Sequence, residues 1–358
     1  MSAANSLLLI GVGTSGCRAA NRIVASFGHD LRHILCDTDA TTGQLDGNFV
    51  LLGGNRLSGR GSGRDIVAAR MAVEESVSIL DPNLEGVRLA VVVTCLGGGT
   101  GGGATFEILK HLASRNIPAV VFATTPFTFE GDDAQRKSRT MMTMIEDQAN
   151  ASFFLPLDRL TQASDNLKES FTAAIAALSG GITLFWRMLL NPGYLRLDVE
   201  RLRHVLSRAG RGRFAAVDVD GEGRAEKALD AILRKDSLAA GSAPVRAILC
   251  GILAGDDLRL TEVSTIANGV RKAFAENSQF ELATVNDESS FSGHLAVVVM
   301  LFEFSKNDDS PSKPRKMQSV LSPNAQLRGK FQNSEVTLWH GENVDEPTYL
   351  RKNISLDY

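Results

Sequence analysis

The chain lacks a charge surplus, long apolar stretches and metal-type cysteine spacing, and each absence removes a class of function. Its 38 Lys and Arg stand against 41 Asp and Glu in 358 residues, a formal net charge of −3. That balance gives neither a basic footprint for nucleic acid nor a cationic patch for an anionic membrane. Nucleic-acid binding and direct membrane insertion are therefore not expected. No apolar run approaches the ~20 residues of a membrane span, and no basic region followed by a signal-length apolar run opens the chain. A cytoplasmic location is the expectation. The four cysteines, Cys17, Cys36, Cys95 and Cys250, share no ligand spacing, so reduced thiols are expected. There is also no GxxxxGK[ST] segment, which excludes a Walker-type phosphate loop.

What the chain has is clustered glycine. Gly97, Gly98, Gly99, Thr100, Gly101, Gly102 and Gly103 are consecutive. They follow Leu89–Thr94, a β-branched apolar run that predicts a buried strand. They precede Ala104–Ser114, where Phe106, Leu109 and Leu112 recur at roughly helical spacing. Glycine inside a strand or helix is worse than alanine by about 0.5–1 kcal/mol, so the run needs a reason. Bare backbone amides backed by a helix N-terminus bind phosphate or another anion.

A second cluster, Gly11, Gly13, Thr14, Ser15 and Gly16, follows the predicted strand Ser6–Ile10 and precedes a predicted helix over Arg18–Phe27. It is a GxGxxG turn in strand–turn–helix context. The next strand, His33–Cys36, ends at Asp37 and Asp39, where an acid would meet ribose hydroxyls. Taken alone, this segment reads as the Rossmann domain of an NAD-dependent oxidoreductase. The third cluster runs from Gly53 through Gly59, Gly61, Ser62 and Gly63 to Arg64, ahead of a helix predicted over Asp65–Leu80. Arginines among glycines suit a loop that closes over phosphates. Three such clusters are more than a dinucleotide fold needs.

The strands Pro118–Thr124 and Phe153–Leu157 flank a polar helix over Asp132–Asn150. This alternation predicts a parallel sheet wound on both faces over residues 1–163. Asp165–Leu190 reads as one long, largely apolar helix, with Gly180-Gly181 as a weak point and Asn191-Pro192-Gly193 as its stop; residues 164–192 are thus a central helix. Residues 193–304 carry helices over Val199–Ala209, Arg224–Arg234 and Leu260–Ala275 and strands over Val245–Cys250, Phe280–Val285 and His294–Phe304, a second, smaller α/β domain. Residues 305–342, rich in Ser, Pro, Lys, Asn and Asp, read as a disordered linker. Residues 343–358 close the chain with a short segment of the kind that serves as a linear recognition motif.

This combination resembles the tubulin/FtsZ superfamily, and specifically bacterial FtsZ, from Leu7 to Lys352. Gly97–Gly103 is similar to the family's signature phosphate loop, Thr125-Pro-Phe-Thr-Phe-Glu-Gly131 to its phenylalanine-rich stretch, and Pro156-Leu-Asp-Arg-Leu160 to a further family run, with Leu157 where asparagine is usual. Gly11–Gly16 and Asn21 match the first phosphate loop and a base-facing residue. The resemblance implies a Rossmann-like, doubly wound GTP-binding domain, a long central helix, a smaller α/β domain for activation and polymerisation, and a disordered tail. It implies GTP or GDP, with Mg as a candidate ion and its ligands unassigned. Gly61, Ser62 and Gly63, with Glu130, Arg136 and Asn166, join the implied nucleotide contacts. It further implies head-to-tail self-assembly into a division-ring filament. The tail around Asp345, Pro347, Tyr349, Leu350 and Arg351 is similar to the peptide that docks a membrane-anchoring division adaptor.

The departures fall on chemistry. The family's catalytic loop carries an asparagine and two acids; here Arg196, Asp198 and Arg201 occupy those places, with Glu200 beside them. Asp198, Glu200 and Arg201 are the implied catalytic set, and hydrolysis is expected to be slow or to depend on a second homologue that supplies the missing acid. Arg201 as an arginine finger is the competing reading. The guanine-reading aspartate falls on Ile175 and the next asparagine on Ala176, which predicts weakened base selectivity. The arginine expected after Phe-Glu-Gly falls on Ala134, leaving Arg136 or Lys137 to substitute.

Overall fold

The computed structural model describes residues 6–28, 31–44, 48–160, 166–190, 193–197, 199–206, 210–238, 244–274, 278–303, 338–339 and 342–343. Asp198, the helix stop at Asn191-Pro192, most of the 305–342 linker and the whole 344–358 peptide lie outside these residues. The chain divides into one compact unit over Met1–Asp308 and a second over Asp309–Tyr358. In the second, Leu338–Trp339 pairs antiparallel with Glu342–Asn343.

The first unit is built on one sheet. Its strands are β1 (Leu7–Val12), β2 (His33–Asp37), β3 (Phe49–Leu51), β4 (Leu89–Cys95), β5 (Ala119–Thr125), β6 (Ala151–Pro156), β7 (Arg211–Asp220), β8 (Val245–Ala254), β9 (Gln279–Asn286) and β10 (His294–Glu303). They lie in the order β3-β2-β1-β4-β5-β6-β7-β10-β8-β9. From β3 to β7 every pair is parallel. β10 runs antiparallel to both neighbours, and β8 pairs parallel with β9. The apolar β-branched runs are buried on both faces, as a helix-covered parallel sheet requires.

Helices α1 (Gly13–Ala25), α2 (Ile66–Glu74), α3 (Gly99–Ser114), α4 (Asp132–Gln148) and α5 (Leu167–Leu190) cover the parallel half. Ile23 and Val24 of α1 and Leu178, Ile182, Phe185 and Trp186 of α5 pack on one face. Val73, Ile108, Leu112, Met141 and Ile145 of α2, α3 and α4 pack on the other. By length and composition Lys168–Leu190 could cross a membrane, with a mean hydropathy of 1.6, which corrects the expectation that no apolar run approaches that size. Half of its most apolar stretch is buried, with Leu178, Ile182, Phe185 and Trp186 in the core.

Several boundaries moved. Gly99–Gly103 is not a loop but the opening of α3, and Gly13–Gly16 opens α1. The helix predicted over Asp65–Leu80 ends at Glu74 and resumes as a tight turn over Val77–Leu80. Gly180-Gly181 does not interrupt α5. A Cβ on Gly181 would lie 2.8 Å from the Phe214 ring, so glycine there admits close packing against β7. Strand β7 itself had no clear signal, because Arg211-Gly-Arg breaks its apolar alternation. It meets β6 at only Ser152↔Arg211 and Phe153↔Gly212. Aromatic packing reinforces that short ladder: Phe122 lies 5.1 Å from Phe153 and 5.0 Å from Phe214 between ring centroids. Edge-to-face and offset pairs of this kind each add about 0.5–1.5 kcal/mol beyond their buried area.

Candidate functional site

Parallel pairing puts the C-terminal ends of β1, β4 and β5 on one rim, since Val12 pairs with Thr94 and Cys95 with Thr124. Helices α1 and α3 start there. Neither has a side-chain cap at its N-cap residue, Val12 or Gly98, and neither has an acid in its first turn. By contrast α2 is capped, with Asp65 Oδ1 accepting from Val67 N at 2.8 Å and Ala68 N at 3.1 Å. Two uncapped helix N-termini side by side present unpaired amides and roughly half a positive charge each.

The glycines make this approach possible. Gly13 has φ +73, and a Cβ there would lie 3.2 Å from Gly101 N. On Gly16 a Cβ would meet Val93 O at 2.5 Å, and on Gly101 it would run into Cys95 O. Gly101 is also pinned, its carbonyl accepting from Thr94 Oγ1 at 2.8 Å and Thr105 Oγ1 at 2.6 Å. These residues fit an anionic phosphate: the donors are backbone amides, no carboxylate faces them in the first turns, and no side chain fills the cradle.

The third cluster lies over the rim. Ser62 Oγ is 3.2 Å from Thr100 Oγ1, which is 2.7 Å from Thr38 Oγ1. Asp65 N would lie 2.7 Å from a Cβ on Gly99, so the loop touches the first turn of α3. Gly61 and Gly63 have φ of +74 and +61, and Arg64, which is not glycine, has φ +65. That conformation costs an L-residue about 1–2 kcal/mol. Arg64 Nη2 reaches Glu130 Oε2 at 3.5 Å, while Glu130 Oε1 accepts from Phe127 N at 3.0 Å. Lys137 Nζ donates to Arg64 O at 3.4 Å.

Other expected contacts are arranged differently. Asp37 is only 1% exposed. Its carboxylate accepts from Thr14 Oγ1 (2.9 Å), Thr42 Oγ1 (2.8 Å) and Thr38 N (2.7 Å). It is therefore a brace beneath the rim rather than an acid open to ribose. Asp39 is half-buried and accepts from Thr41 N and Thr41 Oγ1 at 2.9 and 2.7 Å; these bonds hold its carboxyl below the ordinary value of 3.8. Asn21 lies half-buried on α1. Asn166 caps α5, its Oδ1 accepting from Lys168 N at 3.0 Å. Arg136 pairs with Asp133 at 3.3 Å, on the exposed face of α4.

Beside the rim, Phe127 stacks on Phe129 at 4.8 Å and meets Phe171 of α5 edge-on at 4.9 Å. Phe129 is 65% exposed. Ile175 packs against the core and Ala176 is half-buried, so neither supplies a polar group to a base. Burial pushes the Cys95 thiol up to about 11, leaving it protonated and unreactive at neutral pH. Among the described residues no group of three His, Cys, Asp or Glu side chains could hold a metal ion.

The implied catalytic residues are elsewhere. Glu200, near the start of α6 (Val199–Leu206), forms ion pairs with Arg88 and, at 3.3 Å, Arg203. Arg88 immediately precedes β4, whereas the glycine run follows it. The seven residues of β4 span about 20 Å, so Glu200 sits at the opposite end of the sheet from the rim. Arg201 Nε is 2.8 Å from Glu281 Oε2 on β9. The sequence reading placed Arg64 in a phosphate-closing loop but missed its pairing with Glu130, and it missed Thr38 and the cap at Asp65; an aspartate just before a predicted helix was the available signal for the cap.

Residues 6–165 match the Tubulin/FtsZ family, GTPase domain. The chain is similar to the empty FtsZ dimer of M. jannaschii, at 19% identity and a TM-score of 0.77, over 83% of this chain and 88% of that one. It is similar to CetZ2 of Haloferax volcanii in a GTPγS-bound protofilament, at 22% identity and 0.70, over 85% and 94%. It is also similar to the GDP-bound CetZ1 monomer of Haloferax volcanii, at 14% identity and 0.72, over 84% and 95%.

Proposed function

We propose that this chain, which has the tubulin/FtsZ fold and carries that family's GTPase domain over residues 6–165, is a filament-forming GTPase of cell division. The NAD-dependent alternative loses its footing with Asp37, whose carboxylate is buried under three donors. The observation that carries the reading is the separation of the phosphate rim from Glu200 and Arg201 by about the length of β4. One subunit cannot bring the two together. A second, stacked head to tail, does. Such heterologous contacts do not close and therefore grow filaments.

In that stack Asp198 and Glu200 are the acids of the incoming subunit, and Arg201 stays tied to Glu281. With an arginine where a water-orienting acid is wanted, turnover in the homopolymer is slow, or a second homologue supplies the acid. Mg accompanies the nucleotide. The apolar surroundings of Phe171, Ile175 and Ala176 support weak discrimination between bases. The division role rests on the similarity of Asp345–Arg351 to an adaptor-docking peptide, which would hold the filament in the cytoplasm against a membrane-anchored partner at the division site.

Denaturing the purified protein and separating the released ligand by chromatography tests the first part. A guanine nucleotide is expected; a nicotinamide nucleotide, or no nucleotide at any concentration, would overturn the reading. For the tail, deleting residues 343–358 should leave sedimentable polymer but abolish recruitment to adaptor-coated vesicles. Loss of polymer would instead make the tail structural.

A further inference from the structure

We propose that Arg64 is the cation that takes the terminal phosphate of the bound nucleotide, and that Glu130 holds it in readiness until then. The inference rests on the nucleotide reading of the rim. It begins from a residue that the loop does not need for its own shape. Arg64 has φ +65, a conformation in which glycine is at ease and arginine is not. Its side chain is 65% exposed, so it packs no core. A strained residue whose charged side chain is exposed and held by a single 3.5 Å ion pair at the lip of a site points to a contact made with something else.

Its placement defines what that contact is. Ser62 Oγ against Thr100 Oγ1, and Asp65 N against the space beside Gly99, anchor the loop to the first turn of α3 on both sides of Arg64. Asp65 does not compete for the guanidinium, because its Oδ1 caps α2. Three other cations near this lip are paired. Lys137 pairs with Asp133 at 2.8 Å, Arg136 with Asp133 at 3.3 Å and Arg70 with Glu107 at 2.9 Å. Arg64 alone of these four reaches across to the opposite lip, by a 3.5 Å pair with Glu130.

Exchange is easy on both sides of that pair. Glu130 keeps its bond from Phe127 N on the other oxygen, so it stays in place when Arg64 leaves. Arg64 trades one oxyanion for another that carries more charge and accepts a planar, bidentate fork. Gly13, Gly16 and Gly101 are the buried floor of the cradle, whereas Gly63 and Arg64 are exposed at its edge. The phosphate within reach of the edge is the outermost one. Arg64 therefore distinguishes a triphosphate from a diphosphate.

Equilibrium binding of GTPγS and GDP to the full chain tests this, comparing wild type with Arg64→Gly, Arg64→Lys and Arg139→Ala. Glycine at position 64 removes the side chain and suits the backbone, so the melting temperature should hold or rise. The expected result for Arg64→Gly is a loss of GTPγS affinity of about tenfold or more, with GDP changed no more than about twofold, as for a charge-assisted contact made only to the last phosphate. Lysine should restore part of the loss, being a point charge without the fork. Arg139→Ala, which removes an exposed cation from α4, should leave both affinities within about twofold of wild type. Unchanged GTPγS affinity in Arg64→Gly, an equal loss for both nucleotides, or the same loss in Arg139→Ala would overturn the proposal. A wild-type chain that binds neither nucleotide would overturn the reading of the rim itself.

Discussion

Replacing Gly101 by alanine is expected to weaken guanine-nucleotide binding by about a hundredfold, close to 3 kcal/mol, and to lower the melting temperature as well. The new Cβ would run into Cys95 O and lie 3.2 Å from both Cys95 C and Thr94 Oγ1. None of these atoms can retreat cheaply. Cys95 belongs to β4, which is paired on both sides, and Thr94 Oγ1 donates to the Gly101 carbonyl. The first turn of α3 must shift instead, and with it the amides that face the phosphate. Forcing a methyl into a packed site costs about 1–3 kcal/mol in stability. Gly180→Ala is the matching control, since nothing lies within 4 Å of its added Cβ and alanine suits a helix interior better. Titration calorimetry and thermal melting read both effects. Binding of Gly101→Ala at near wild-type affinity would show that the α3 N-terminus is not where the phosphates sit.

Turnover per subunit is expected to depend steeply on protein concentration, rising at least about tenfold from dilute to assembled protein. The reason is distance. Glu200 lies beside Arg88 at the start of β4 and the glycine rim lies past its end, about 20 Å away. Proton abstraction and water positioning need contacts of about 3 Å, so a lone subunit has its two half-sites too far apart to cooperate. Adding Gly101→Ala subunits to dilute wild type should raise turnover, because a chain with a damaged rim still offers its Glu200 face to a neighbour. Phosphate release measured across a dilution series decides the matter. A specific activity that is the same at every concentration would rule out a shared site.

Much of this was legible from local pattern. Glycine clusters between an apolar strand and a helix signal close backbone approach, because the cost of ordering glycine is intrinsic to the residue, and Gly16 and Gly101 are packed in that way. The alternation of β-branched runs with helical periodicity likewise specified a parallel sheet covered on both faces. The long helix, its apolar character and the arginine-bearing loop could all be read in the same way.

Tertiary structure decided everything that depends on which groups meet. Asp37 stood at the spacing of a ribose contact, yet Thr14, Thr38 and Thr42 converge on it and turn it into a buried brace. Strand β7 exists because β6 and β10 lie on either side of it, despite Arg211 and Arg213 at its start. Glu200 and Arg201 could be named from a resemblance, but only their pairing with Arg88 and Glu281 shows which end of the sheet they occupy. Arg64 could be placed in a phosphate-closing loop from its glycine neighbours, but neither its positive φ nor the carboxylate across the rim can be read from neighbouring residues. Strand and helix signals live within a few residues along the chain, whereas charge pairing, burial and the facing of two loops arise between segments far apart in sequence.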